Sequence, residues 1–119
     1  METSKQQISF DRSSALERVG GDEELLREVA GIYLAEYPPL LDNIRSAVGA
    51  GDGDALQRSA HTLKGSLATL GAEPAAHLAM SLESQGRQNH LESAGAVLLR
   101  LEEELARVHQ EIQALAEEL

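Results

Sequence analysis

The last quarter of the chain permits one backbone conformation. Leu91, Ala94, Leu98, Leu101, Leu105, Val108, Ile112, Leu115 and Leu119 recur at alternating spacings of three and four residues. At 100° per residue these positions form a single stripe down an α-helix, whereas on a strand they would scatter over both faces. The spacing predicts a helix from about Asn89 or His90 onward, about 30 residues and ~45 Å long. Glu102-Glu103-Glu104 reads as part of its solvated face. A helix with one apolar stripe must bury it against other helices. This one is expected to pack within its own bundle. Its length exceeds that of the other predicted helices, so its end is expected to project. A seven-residue repeat of this length leaves self-association through that end as the alternative.

The rest of the sequence supplies partners of the same kind. With 119 residues the chain holds one domain with one core. Hydrophobic residues make up 42% of it, aromatics only 3%, and there is no Trp. The core is therefore built from Leu, Ala, Val and Ile, a composition that favours helices over sheets. The absence of Cys excludes disulfides and thiolate metal sites. No run approaches ~18 consecutive apolar residues, so no membrane insertion is expected. Met1-Glu2-Thr3-Ser4-Lys5 lacks the apolar run of a signal peptide, which makes a cytoplasmic location the expectation. A net charge of −10 argues against nucleic-acid binding, which needs a basic surface.

Residues 1–8 are polar and read as a flexible terminus, with 9–119 as one domain. Asp11 is placed to cap a short first helix with Leu16 and Val19 inward, and Gly20-Gly21 stops it. Asp22 caps the second helix, whose apolar stripe uses Leu25 or Leu26, Val29, Ile32 or Tyr33, and Leu34. Tyr37-Pro38-Pro39 interrupts it, and the pattern resumes at Leu40-Leu41, Ile44 and Ala47-Val48. This predicts one kinked helix, or two nearly continuous ones, over about 22–49. A third helix spans about 54–70, with Leu56, Ala60, Leu63, Leu67 and Leu70 within ~80° of arc. Glu73-Pro74 opens a fourth, with Ala75, Leu78, Ala79 and Leu82 inward, and Gly86 and Gln88-Asn89 mark its end. The expected fold is all-α: an antiparallel up-down four-helix bundle with a short extra N-terminal helix as a lid and a long C-terminal helix.

One flank of the third helix carries chemistry. Gln57, His61, Lys64, Gly65 and Ala68 fall together beside its leucine seam. A glycine inside a helix costs ~1 kcal/mol relative to alanine. Helical side chains lean toward the N-terminus, so a side chain at 65 would lie over His61, and its absence opens the imidazole to something bulky. Ala68 keeps the same path low, and Lys64, one turn on, places an ammonium near the ring. Such an approach suits delivery of an anionic group to a ring nitrogen. On the fourth helix Ala76, Met80, Glu83 and Arg87 line a flank beside that helix's own inward seam. His77, His90 and His109 lie apart with no metal-ligand companion at i+4 and read as incidental, and the remaining glycines read as punctuation.

Ala60-His61-x-Leu63-Lys64-Gly65-x5-Gly71-Ala72 resembles the signature of histidine-containing phosphotransfer (HPt) domains. The likeness extends to Phe10-Asp11, to Gly21-Asp22-Glu23-Glu24-Leu25-Leu26, to Ala50-Gly51-Asp52 and to Leu82-Glu83, covering about 100 residues. The resemblance implies that His61 accepts a phosphoryl group on Nε2, that Lys64 stabilises the phosphoryl oxygens, and that Gly65 leaves room for a receiver domain. It places Glu83 against the imidazole, fixing the tautomer by accepting from Nδ1–H. Arg87 is either a second cation for the phosphoryl group or an i,i+4 partner of Glu83. No acidic cluster for Mg²⁺ and no nucleotide loop accompany His61. The resemblance thus implies no cofactor or metal of the chain's own, Mg²⁺ on the partner receiver, and a carrier without kinase activity. The implied partners are receiver domains of a hybrid sensor kinase or a response regulator, with the chain a monomer. The alternatives are the phospho-accepting domain of a chemotaxis-type histidine kinase and a non-catalytic helical adaptor or dimerisation module.

Overall fold

The computed structural model describes residues 10–118, so the predicted flexible segment 1–8 and the last leucine of the stripe, Leu119, lie outside the described residues. Five helices follow one another: α1 (Arg12–Arg18), α2 (Glu23–Ala50), α3 (Gly53–Thr69), α4 (Glu73–Gln88) and α5 (Ala94–Ala116). Three of them start on an aspartate whose carboxylate accepts an otherwise unpaired backbone N–H. Asp11 accepts from Ser14, Asp22 from Leu25 and Asp52 from Ala55, at 3.1, 3.0 and 3.1 Å. α4 has no side-chain cap and starts with Pro74 in its first turn instead.

The connections between α2, α3, α4 and α5 are short, which makes successive helices antiparallel neighbours. α3 packs between α2 and α4, and α5 closes the ring against both α2 and α4. Leu56, Ala60, Leu63, Leu67 and Leu70 are all fully buried, as their spacing predicts. On α2, Leu26 and Tyr33 face inward while Leu25 and Ile32 are exposed. α1 lies across the α3–α4 turn. The Asp11 N–H donates to the Gly71 carbonyl at 3.3 Å, and Phe10 and Ala15 are buried there. Gly71 has φ +73°, and a β-carbon on it would stand 2.8 Å from the Asp11 carbonyl oxygen, so both its backbone shape and its neighbour require glycine.

Of the two forms expected for the second helix, the structure shows one helix, continuous through Pro38 and Pro39. Both prolines are exposed, so their missing donors fall on the solvent side, while Tyr33 and Leu41 hold the inner face together. α5 starts at Ala94, because Asn89 adopts a left-handed conformation (φ +58°) and turns the chain before the apolar stripe becomes helical. With 23 residues α5 is shorter than α2 with 28, and its end does not project. Ile112 and Leu115 are buried, and Glu118 forms a two-pronged ion pair with Arg12 of α1 at 2.7 Å. Finally, His109 is not an incidental surface residue. Its Nε2 shares a 2.6 Å hydrogen bond with the Tyr33 hydroxyl, and its ring packs 4.1 Å from that of Tyr37. Burial lowers its pKa to about 4 and so keeps it neutral.

Candidate functional site

The cleared flank of α3 faces the polar edge of α4, and the two helices approach unusually closely. A β-carbon on Gly86 would stand 2.6 Å from the Gly53 carbonyl oxygen and 2.7 Å from the Gln57 backbone nitrogen. One on Gly53 would stand 2.7 Å from the Gly86 carbonyl oxygen. Backbone therefore meets backbone at this crossing, which fixes the register between the helices. Gly86 lies inside α4 and does not mark its end. Sequence reasoning missed both glycines: Gly86 interrupts an otherwise good helical run, while Gly53, the first residue of α3, carries no such signal.

That register sets Glu83, one turn before Gly86, against His61, one turn after Gln57. Glu83 is 5% exposed, and three donors converge on it. His61 Nδ1 lies 2.8 Å from Oε2, Arg87 Nη2 lies 3.2 Å from the same oxygen, and Lys64 Nζ lies 2.8 Å from Oε1. Lys64 foremost, and then His61, hold the carboxyl below its ordinary pKa against the opposing effect of burial. Glu83 is thus an anion with acceptors only, so the 2.8 Å contact requires His61 to donate from Nδ1. In the neutral ring the proton is therefore on Nδ1 and the lone pair on Nε2.

The His61 side chain is 65% exposed and opens on a groove lined by Gln57, Arg58, Thr62 and Glu83. Gly65 is exposed one turn on, with nothing within 4 Å of an added β-carbon. Ala68 is half-buried beyond it, and Met80 of α4 is exposed. His61, Lys64, Glu83 and Arg87 are therefore brought into one cluster, with Gln57, Gly65 and Ala68 along its open side. Of the two readings of Arg87, the structure shows the i,i+4 ion pair with Glu83. Lys64 is likewise paired with the carboxylate and does not stand free above the ring. Among the described residues there is no group of three or more His, Asp or Glu able to hold a metal. None of the described helices is long and apolar enough to cross a membrane.

Comparison with curated protein sequences gives no match. Two solved structures are similar. Histidine-containing phosphotransfer protein B from Pseudomonas aeruginosa PAO1 is 23% identical, with a TM-score of 0.84 over 94% of this chain and 97% of that one. The HPT domain of a sensor hybrid histidine kinase from Shewanella is 21% identical, with a TM-score of 0.82 over 93% and 96%. At these identities the likeness is one of fold. The Hpt domain model matches residues 28–118, which contain α3, α4 and the whole His61 cluster. The chain therefore belongs to the Hpt domain family, and its role is histidine phosphotransfer in a phosphorelay.

Proposed function

We propose that His61 is the phospho-accepting residue and that Nε2 is the nucleophile. The observation that carries this reading is the asymmetry of the ring: Nδ1 is held at 2.8 Å by a buried carboxylate, while the rest of the side chain faces solvent. An imidazole held in this way presents its lone pair outward in the correct tautomer without further rearrangement. A receiver domain approaches over Gly65 and Ala68, and its phosphoaspartate is attacked in line by Nε2. Lys64 and Arg87, both paired with Glu83 beside the ring, can leave it to meet the incoming phosphoryl oxygens. Mg²⁺ is supplied by the receiver. The chain acts as a monomeric cytoplasmic carrier over 9–119, passes the group to a second receiver aspartate, and has no kinase activity of its own.

Incubation with a phosphorylated receiver should give acid-labile, base-stable label on the chain, and His61→Gln should abolish it. Label that survives His61→Gln would refute the assignment of the acceptor. An isolated histidine-kinase domain with ATP serves as the contrasting donor. Label from the kinase domain and none from the receiver would mark the chain as a kinase's own phospho-accepting domain.

A further inference from the structure

A neutral imidazole that bonds phosphorus through Nε2 while Nδ1 keeps its hydrogen becomes a cation. Whether that hydrogen stays determines how readily the phosphoryl group leaves. We infer that Glu83 keeps the Nδ1 proton on the ring after phosphorylation, so that His61 carries its cargo as an N-phosphoryl imidazolium. The inference rests on His61 being the acceptor.

During loading, the Nε2 lone pair forms the N–P bond. The P–O bond to the donor aspartate breaks, and its electron pair remains on that carboxylate. During unloading, the N–P pair returns to Nε2 and a neutral imidazole departs. No proton moves in either direction, provided that Nδ1 stays protonated throughout. Without that proton the departing group would be imidazolate, a far stronger base and a poorer leaving group.

The geometry favours retention. The Glu83 oxygen lies 2.8 Å from Nδ1 and its side chain is only 6% exposed, so the charge acts on the ring with little solvent screening. The charged groups around the ring are Arg58 and Lys64 from α3 and Glu83 and Arg87 from α4. In the unphosphorylated chain Lys64 and Arg87 share Glu83 with the ring. A phosphoryl dianion on Nε2 competes for both cations, and each one it draws away leaves more of the carboxylate's charge to the imidazolium. The cluster therefore tightens its hold on the Nδ1 proton when that proton is needed.

The test uses the chain with ¹⁵N-labelled histidine, phosphorylated by phosphoramidate, with phospho-His61 assigned by its absence in His61→Gln. Its ring nitrogens and phosphorus are followed by NMR across a pH titration in the native chain and in Glu83→Gln, which keeps an acceptor but loses the charge. The Nδ1 proton should leave at least about one pH unit lower in Glu83→Gln. At a pH between the two midpoints, loss of phosphoryl to water should be severalfold slower in that variant. Coincident midpoints would overturn the inference. If Glu83→Gln does not fold, the native chain in buffer is compared with the same chain in urea, where the midpoint should fall and an unchanged one would overturn it. Absence of any phospho-His61 resonance would instead refute the acceptor assignment, and the inference with it.

Discussion

A β-carbon added at Gly65 meets no atom within 4 Å, yet the position lies in the middle of α3 with ordinary helical geometry. Nothing inside the molecule requires glycine there, and the helix would gain from alanine. Gly65→Ala should therefore stabilise the fold by about 0.5–1 kcal/mol, measured by urea unfolding. Gly65→Arg should leave helicity intact and abolish transfer from a receiver, because its side chain extends over the His61 ring. Unimpaired transfer in the arginine variant would refute the idea that the site is kept clear for a partner. The helical count puts His61 and Lys64 on one flank of α3 and Glu83 and Arg87 on one flank of α4, but that these two flanks meet was implied by the family resemblance and not by spacing. The pairing of Lys64 and Arg87 with Glu83 was not legible. Which donor reaches which oxygen across two helices depends on their relative register, and helical periodicity carries no information about that.

Register belongs to the pair of elements, and the Gly53–Gly86 crossing sets it. An added methyl group at Gly86 would face backbone atoms at 2.6 and 2.7 Å, which cannot rotate aside as a flexible side chain could. Gly86→Ala should force α4 away from α3 and cost about 1–3 kcal/mol in urea unfolding, opposite in sign to the same substitution at Gly65. It should also slow phosphotransfer, because Glu83 moves with α4 and the 2.8 Å contact to His61 Nδ1 lengthens. Stability and rate both unchanged would show that the two helices adjust freely. The boundaries of the elements were legible where a residue marks them. Asp11 and Asp22 announce the starts of α1 and α2, and Pro74 that of α4, whereas α5 has no side-chain cap and its apolar stripe runs back through the loop to Leu91. The stripe therefore overstated the helix by several residues. At Pro38-Pro39 the local signal left one kinked helix or two nearly continuous ones open, and burial on the opposite face of α2 keeps the helix whole.

At the scale of the whole bundle, closure depends on α2 meeting α5, and both tyrosines of the chain sit there with His109. Burial depresses the folded pKa of His109 to about 4, so its contribution to stability is present above its unfolded value near 6.5 and is lost as the pH falls toward 4. The half-exposed ring limits this to about 1–2 kcal/mol. Stability should decline over that window in the native chain and less steeply in His109→Gln, as followed by urea unfolding at several pH values. The same closure decides the oligomeric state. Leu98, Leu101, Leu105, Val108, Ile112 and Leu115 are all buried within the bundle, so the heptad-like seam of α5 has no free face for a second copy. Among the described residues of α5, Leu99 is the one large apolar side chain left exposed, and isolated exposed leucines are ordinary on a monomer. Repulsion between copies, each with a net charge of −10, acts in the same direction. Sedimentation across micromolar to submillimolar concentrations should therefore return the 12.8 kDa monomer, at high as well as low salt. A dimer that appears only at high salt would show that charge alone keeps the copies apart, whereas a dimer at every salt concentration would mean that the α5 seam opens to a partner.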